Sequence, residues 1–112
     1  MSAPVEPAFD EVVHSAVRLR ICGVLRRLDE VEFGVVRDTL GLSDAHLSKN
    51  LKVLVDRGYV RLRKEGSPGR GDARRLTWVG LTREGSRALE GHLAALAEIA
   101  GGDIAESARL RS

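Results

Sequence analysis

The chain has 112 residues and a formal net charge of +2, enough for one modest domain and too weak a charge to imply an anionic partner by itself. Its only aromatic residues are Phe9, Phe33, Tyr59 and Trp78, so the core must be mostly Leu and Val, and a small domain of that kind gains stability by pairing with a second copy. No apolar run approaches the roughly 20 residues of a membrane span, Met1 to Pro7 lack the basic and apolar parts of an export signal, and the lone Cys22 excludes an internal disulfide and fits a reducing, cytoplasmic setting.

Residues 1–8 are expected to be a flexible N-terminus. Phe9 to Ser15 can form a short helix with Phe9, Val12 and Val13 apolar. Ala16 to Leu28 predicts a stronger one: Val17, Ile21, Cys22, Leu25 and Leu28 keep helical spacing, with Arg18, Arg20, Arg26 and Arg27 elsewhere. Asp29-Glu30 closes it, and Val31-Glu32-Phe33 reads as a very short strand. Gly34 to Leu40 gives a further helix, with Val35, Val36 and Leu40 inward and Gly41 as its stop.

Gly41-Leu42-Ser43 is then a tight turn into the most informative element of the chain. Ser43 sits where an N-cap belongs, and Asp44 places a carboxylate in the first turn, where it suits the helix dipole. Leu47, Leu51, Leu54 and Val55 form one apolar stripe, and Gly58 supplies the left-handed residue that ends the helix. The opposite face carries Ala45, Lys49, Lys52 and Val53, with His46 and Ser48 on its shoulders. Two short helices joined in this way make a helix-turn-helix, and a helix with small, polar and cationic groups on its free side suits a DNA major groove. Asn50 lies on the flank, where capping or packing competes with reading an adenine.

After Gly58 the period changes to that of a strand. Tyr59 to Lys64 alternates Val60 and Leu62 with Arg61 and Arg63. Glu65 to Asp72 holds three glycines and a proline and cannot be regular structure. Arg74 to Leu81 resumes an extended pattern, with the facing of Trp78 open. The pair is a β-hairpin with a flexible, basic tip. A last helix runs from Thr82-Arg83-Glu84-Gly85 to about Ala100, with a seam of Leu89, Leu93, Leu96 and Ala100, and residues 101–112 are expected to be a flexible tail.

Charge is distributed to match this plan. Between Lys49 and Arg75 nine cations face three carboxylates, leaving +6 in this window and −4 in the remainder. A basic segment in a mildly acidic chain is the pattern of a local phosphate-binding surface.

The order of helices, helix-turn-helix, two-stranded wing and C-terminal helix resembles the small winged-helix regulators related to the MarR and ArsR groups, of a type frequent in high-GC bacteria. The resemblance covers residues 9–100. It rests on Val17-Arg18-Leu19-Arg20-Ile21, Leu42-Ser43-Asp44-Ala45-His46-Leu47-Ser48-Lys49-Asn50-Leu51, Leu54-Val55-Asp56-Arg57-Gly58-Tyr59-Val60 and Leu81-Thr82-Arg83-Glu84-Gly85. It implies an α+β, mainly helical fold and a homodimeric transcriptional regulator, a repressor, on a pseudo-palindromic operator in double-stranded DNA. Expected DNA contacts are Ser43, Ala45, His46, Ser48, Lys49 and Lys52 on the recognition helix, and Arg70, Arg74 and Arg75 on the wing. Expected dimer contacts are Phe9, Val13, Leu89, Leu93 and Leu96, the last helix (83–100) being the main one.

Other chemistries fare worse. Gly66 to Gly71 lacks the Lys-Ser/Thr of a phosphate loop and joins two strands. Asp10-Glu11 and Asp29-Glu30 are adjacent pairs that point to different helix faces, so no enzyme is expected. His14, His46 and His92 fall in separate elements without the short spacing of a zinc site, so neither metal nor cofactor is expected; a dimer could still bring His14 and His92 together across its interface. Cys22 lies in an apolar stripe without a cation on its own face and reads as a small hydrophobe. Few aromatics, one thiol and scattered histidines define no effector pocket. The rival reading is a winged helix used for protein interaction, which has little reason to concentrate +6 on its helix and wing.

Overall fold

The computed structural model describes residues 5–66 and 76–102. Four α-helices and a three-stranded antiparallel sheet follow in the order α1 (Ala16–Leu25), β1 (Val31–Glu32), α2 (Phe33–Leu40), α3 (Asp44–Asp56), β2 (Val60–Glu65), β3 (Leu76–Leu81) and α4 (Arg83–Ala97), closed by a π-helical turn over Glu98–Gly102. This is the mainly helical α+β winged helix expected.

Local chemistry sets most boundaries. Ser15, Ser43 and Thr82 cap α1, α3 and α4, their hydroxyls accepting from the N–H groups of Arg18, His46 and Gly85. Gly41 and Gly58 adopt φ of 66° and 84°, the left-handed conformation that ends α2 and α3 without a Cβ penalty. The sheet order is β1-β3-β2, with Val31 opposite Val79 and Leu62 opposite Val79 on its other side. The wing is therefore not a free two-stranded ribbon: β1 pairs with the base of β3 and ties it to the helices. Phe33 begins α2 and is no part of the strand.

Phe9–Ser15 is not a helix. The Asp10 side chain takes over, Oδ1 accepting from the N–H of Val12 and Val13 and folding the chain into a turn before α1. α1 stops at Leu25, and Leu28, expected in its apolar stripe, is exposed. α4 stops at Ala97, three residues early, and Ala100 at the end of its expected seam is exposed.

The core is mostly aliphatic: Val13, Ile21, Leu25, Val36, Leu47, Leu51, Leu54, Val79 and Leu89 are buried with Cys22. Tyr59 alone of the four aromatics belongs to it. Trp78 lies on the sheet face opposite the fully buried Val79; its indole donates to Glu65 Oε2 at 2.9 Å and the Arg63 guanidinium sits 5.6 Å from its ring centre.

Candidate nucleic-acid interface

Two faces of α3 divide its work. Leu47, Asn50, Leu51 and Leu54 are buried, whereas Ser43, Ala45, His46, Ser48, Lys49 and Lys52 are all exposed. The structure thus brings all six expected recognition-helix residues to one accessible surface. Ser43 is occupied in part as the cap, its Oγ 3.1 Å from the His46 N–H. Lys52 pairs with Asp56 one turn on at 3.1 Å, a solvated pair of little energetic weight that an incoming phosphate can replace. An ammonium is a point charge suited to phosphate, and the small Ala45 and Ser48 leave room for bases.

What holds this surface in place is polar. Asn50 is 7% exposed, and its amide nitrogen donates to the His46 carbonyl at 2.9 Å while its oxygen accepts from Arg18 at 3.1 Å. Arg18 also donates to the Val12 carbonyl at 2.6 Å. The guanidinium therefore ties the turn before α1 to the middle of α3. This settles Asn50 as a packing residue, and it corrects the expectation that Cys22 has no cation on its face: Arg18 lies one turn before it and points inward. The sequence signal was an arginine four residues before a stripe cysteine, which puts the two on one face of α1.

Two further contacts brace the ends of the helix. Arg37 of α2 donates to Asp38 and to Asp44 at 2.8 Å each, fastening the N-terminus of α3 across the turn. Hydrogen bonds first to Asp38 and then to Asp44 raise the guanidinium pKa further above its already high value. At the other end Tyr59 N–H caps the Leu54 carbonyl at 2.9 Å, and its hydroxyl donates to the Asp10 carboxylate. Burial raises the Asp10 pKa, but the Tyr59 hydroxyl and the N–H groups of Val13 and Val12 together outweigh it and hold the carboxyl below its usual range.

Between α3 and the β2–β3 ribbon lies a cleft of about 560 Å³ lined by Phe33, Leu51, Val55 and Leu62, with Lys52 and Lys64 in its walls. At the base of the wing Arg63 pairs with Glu30 at 2.9–3.1 Å, and that hydrogen bond is the main cause of the lowered Glu30 carboxyl pKa. Arg70, Arg74 and Arg75 lie outside the described residues.

Of the expected dimer contacts, Val13 and Leu89 lie instead in the chain's own core, at 0% and 2% exposure, and are not free for a second copy. Phe9 is 49% exposed, and Leu93 and Leu96 are half-buried. His14 and His92 meet within one chain, at 3.1 Å, and not across an interface. Among the described residues no group of three or more His, Cys, Asp or Glu side chains is placed to hold a metal ion, and no helix is long and apolar enough to cross a membrane.

Residues 17–100 match the family model of the winged helix DNA-binding domain. An uncharacterized protein of Methanocaldococcus jannaschii is 33% identical over 60 residues, 54% of this chain; the chain covers 65% of that protein's length. Among solved structures, a transcriptional regulator homologue from Pyrococcus horikoshii OT3 superposes with a TM-score of 0.72 at 24% identity, covering 83% of this chain and 88% of the other. A mutant MarR from E. coli, solved in complex with operator DNA, superposes at 0.57 with 20% identity over 83% of this chain and 60% of its own. These likenesses establish a MarR-like fold, and the family is one of DNA-binding domains and not of enzymes. The chain belongs to the winged helix DNA-binding domain family.

Proposed function

We propose that the protein is a sequence-specific transcriptional regulator, a repressor, that binds a pseudo-palindromic operator in double-stranded DNA as a homodimer. The observation that carries this reading is the outer face of α3, where Ala45, His46, Ser48, Lys49 and Lys52 are exposed on a helix whose other face is buried. Lys49 and Lys52 take phosphates, and Ala45, His46 and Ser48 approach base edges. Arg70, Arg74 and Arg75 enter the proposal from the sequence alone, as wing contacts to phosphates or the adjacent minor groove. MarR in complex with operator DNA offers the same fold in use.

The dimer forms through α4 and the N-terminal segment. Exposed Phe9 and the half-buried Leu93 and Leu96 supply its apolar contacts, with Val13 and Leu89 packing beneath them. Two recognition helices related by a two-fold axis read half-sites about 10 bp apart or near a multiple. A signal that changes their spacing by a few ångströms breaks simultaneous contact and releases the operator.

Selection of genomic fragments followed by titration over salt tests this reading. The wild type should show a log–log slope of about −0.9 per neutralised phosphate, and Lys49→Ala should reduce the slope by about one while leaving the urea midpoint unchanged. An affinity flat in salt, or a purely monomeric 12.2 kDa species by sedimentation at micromolar concentration, overturns the DNA or the dimer part respectively.

A further inference from the structure

We propose that His14 and His92 form a proton-operated clasp that holds the segment Val5–Asp10 against α4 at neutral pH and releases it in mild acid. The Asp10 backbone N–H points at His92 Nδ1 at 2.9 Å, so that nitrogen must carry a lone pair. A neutral His92 then bears its proton on Nε2, which faces His14 Nδ1 at 3.1 Å. His14 Nδ1 must accept, which places the His14 proton on its own Nε2. One backbone amide therefore fixes both tautomers.

An additional proton has no compatible place in this chain. On His14 Nδ1 it confronts the His92 Nε2–H. If His92 yields by shifting its proton to Nδ1, that proton confronts the Asp10 N–H. Either way one hydrogen bond is lost: the exposed His14 can carry the charge only by turning its Nδ1 away from His92, and on His92 the charge falls on a ring that is 0% exposed.

The carboxylate of Asp10 pulls in the other direction, since it favours a positive His92. It is already committed, however, to the Val12 and Val13 N–H groups and to the Tyr59 hydroxyl, and so cannot turn toward the ring. Among the described residues, His14 and Asp10 are the titratable groups that bear on the charge of His92. Tyr59 and Arg57, whose guanidinium lies 5.4 Å from the Tyr59 ring centre, act on Asp10, and Arg18 of α1 acts on Cys22. Burial first, and then His14, place the His92 pKa below its ordinary 6.5. A histidine with a lowered pKa contributes stability that is present above about pH 6.5 and is lost as the pH falls below it.

The clasp holds a defined load. Phe9 packs tilted against His14 and edge-on against His92, with centroids 4.7 Å away in both pairs, and the Ala8 N–H donates to the Gly91 carbonyl at 2.9 Å. A glycine eases this approach, since a Cβ at Gly91 would lie 3.3 Å from Ala8 Cβ and 3.4 Å from the Glu6 carbonyl. Because Asp10 also accepts from Tyr59, release of the segment frees the C-terminal end of α3. That last link, to DNA, rests on the proposed function; the proton clasp does not.

The test uses the full chain. Long-range proton–nitrogen spectra at about pH 7.5 should show both rings protonated on Nε2 and bare on Nδ1. Hydrogen exchange of the Ala8 and Asp10 amides, referred to that of Leu51, should lose protection between pH 7.5 and 5.5 by up to about tenfold, the ceiling set by the one pH unit that separates 5.5 from the ordinary 6.5 of His92. His92→Asn, whose carbonyl can accept from Asp10 without titrating, should keep its protection at both pH values. Should that variant not fold, His14→Gln offers an acceptor to His92 without a charge and should retain protection to lower pH than the wild type. A proton on Nδ1 of either ring, unchanged wild-type protection at pH 5.5, or the same loss in the folded variants overturns the clasp. For the coupling, DNA affinity should fall with pH more in the wild type than in His14→Gln. Equal falls overturn the coupling, whereas no DNA binding at any pH overturns the proposed function and leaves the spectra to judge the clasp.

Discussion

The two faces of α3 are built on opposite terms. The outer face holds side chains whose partners are few and replaceable: a solvated Lys52–Asp56 pair, a cap at Ser43, and the exposed Ala45, Ser48 and Lys49. The inner face is held by aliphatic burial and by polar contacts that cannot be exchanged for water, Asn50 with Arg18 above all. A helix that must present itself to another molecule has its position set from behind. Substitutions on the outer side should therefore change binding with little change in stability, whereas those on the inner side should lower stability first and binding only through the position of the helix. Three changes probe that inner frame.

The largest effect is expected where α4 starts, against the segment that leaves α3. Thr82 N–H donates to the Tyr59 carbonyl and its hydroxyl to the Gly58 carbonyl, drawing the first turn of α4 onto the backbone there. Gly85 is the consequence: a Cβ would stand 2.1 Å from the Tyr59 oxygen and 2.9 Å from Leu81 Cδ1. The short Leu-Thr-x-x-Gly element is thus a close backbone approach and not a generic helix start. Gly85→Ala should lower stability by more than about 3 kcal/mol, read as a shift of the urea midpoint. The matched control is Gly23→Ala in α1, where a Cβ meets nothing within 4 Å and should add about 0.5–1 kcal/mol. Equal effects at the two glycines would remove the close approach from the account.

An intermediate effect belongs to Arg18. Arg18→Ala strips a partner from the buried Asn50 oxygen and from the Val12 carbonyl, which should cost about 1–3 kcal/mol. DNA affinity should fall as well, with the slope against salt unchanged, because a displaced helix loses contacts to bases before it loses charge. A reduced slope would mean that Arg18 itself touches phosphate and that inner and outer faces are not separate.

Much of this frame was legible in the chain, and the division follows the range of the forces involved. Ser43, Gly58 and the 3.6-residue stripe of Leu47, Leu51 and Leu54 act within a few residues, so local reading places α3 and its exposed side well. The turn at Asp10 reads as helix in the sequence because Phe9, Val12 and Val13 keep helical spacing, and nothing local shows that the Asp10 oxygen outbids the backbone. Its further partners, Tyr59 and His92, lie 49 and 82 residues away. Leu89 and Val13 were assigned outward for the same reason: a seam shows which side is apolar and not which neighbour covers it. The third strand was half legible, since Val31-Glu32 reads as extended but its pairing with Val79 and Trp78 is a tertiary fact.

The smallest effect is expected at Cys22, where the correction to the sequence reading could have mattered. Arg18, one turn away, lowers the thiol pKa, and a cation beside a cysteine is the usual start of a redox sensor. Here burial, and after it the Asp10 carboxylate, outweigh the arginine and push the thiol up to about 11 from an ordinary 9.0. The thiol is 0% exposed, and Arg18 spends its donors on Asn50 and Val12. The sign follows: an acid whose pKa rises on folding leaves stability unchanged below about pH 9 and erodes it as the pH climbs toward 11. Near neutrality the group stays protonated, walled off and slow to react. Mild peroxide should therefore leave DNA binding unchanged in the wild type and in Cys22→Ser alike. The thiol should react with a disulfide reagent only at the rate at which the core opens, which denaturant accelerates. Release of DNA by peroxide from the wild type alone would show that Arg18 governs this thiol after all, and that the frame behind α3 carries a signal as well as a load.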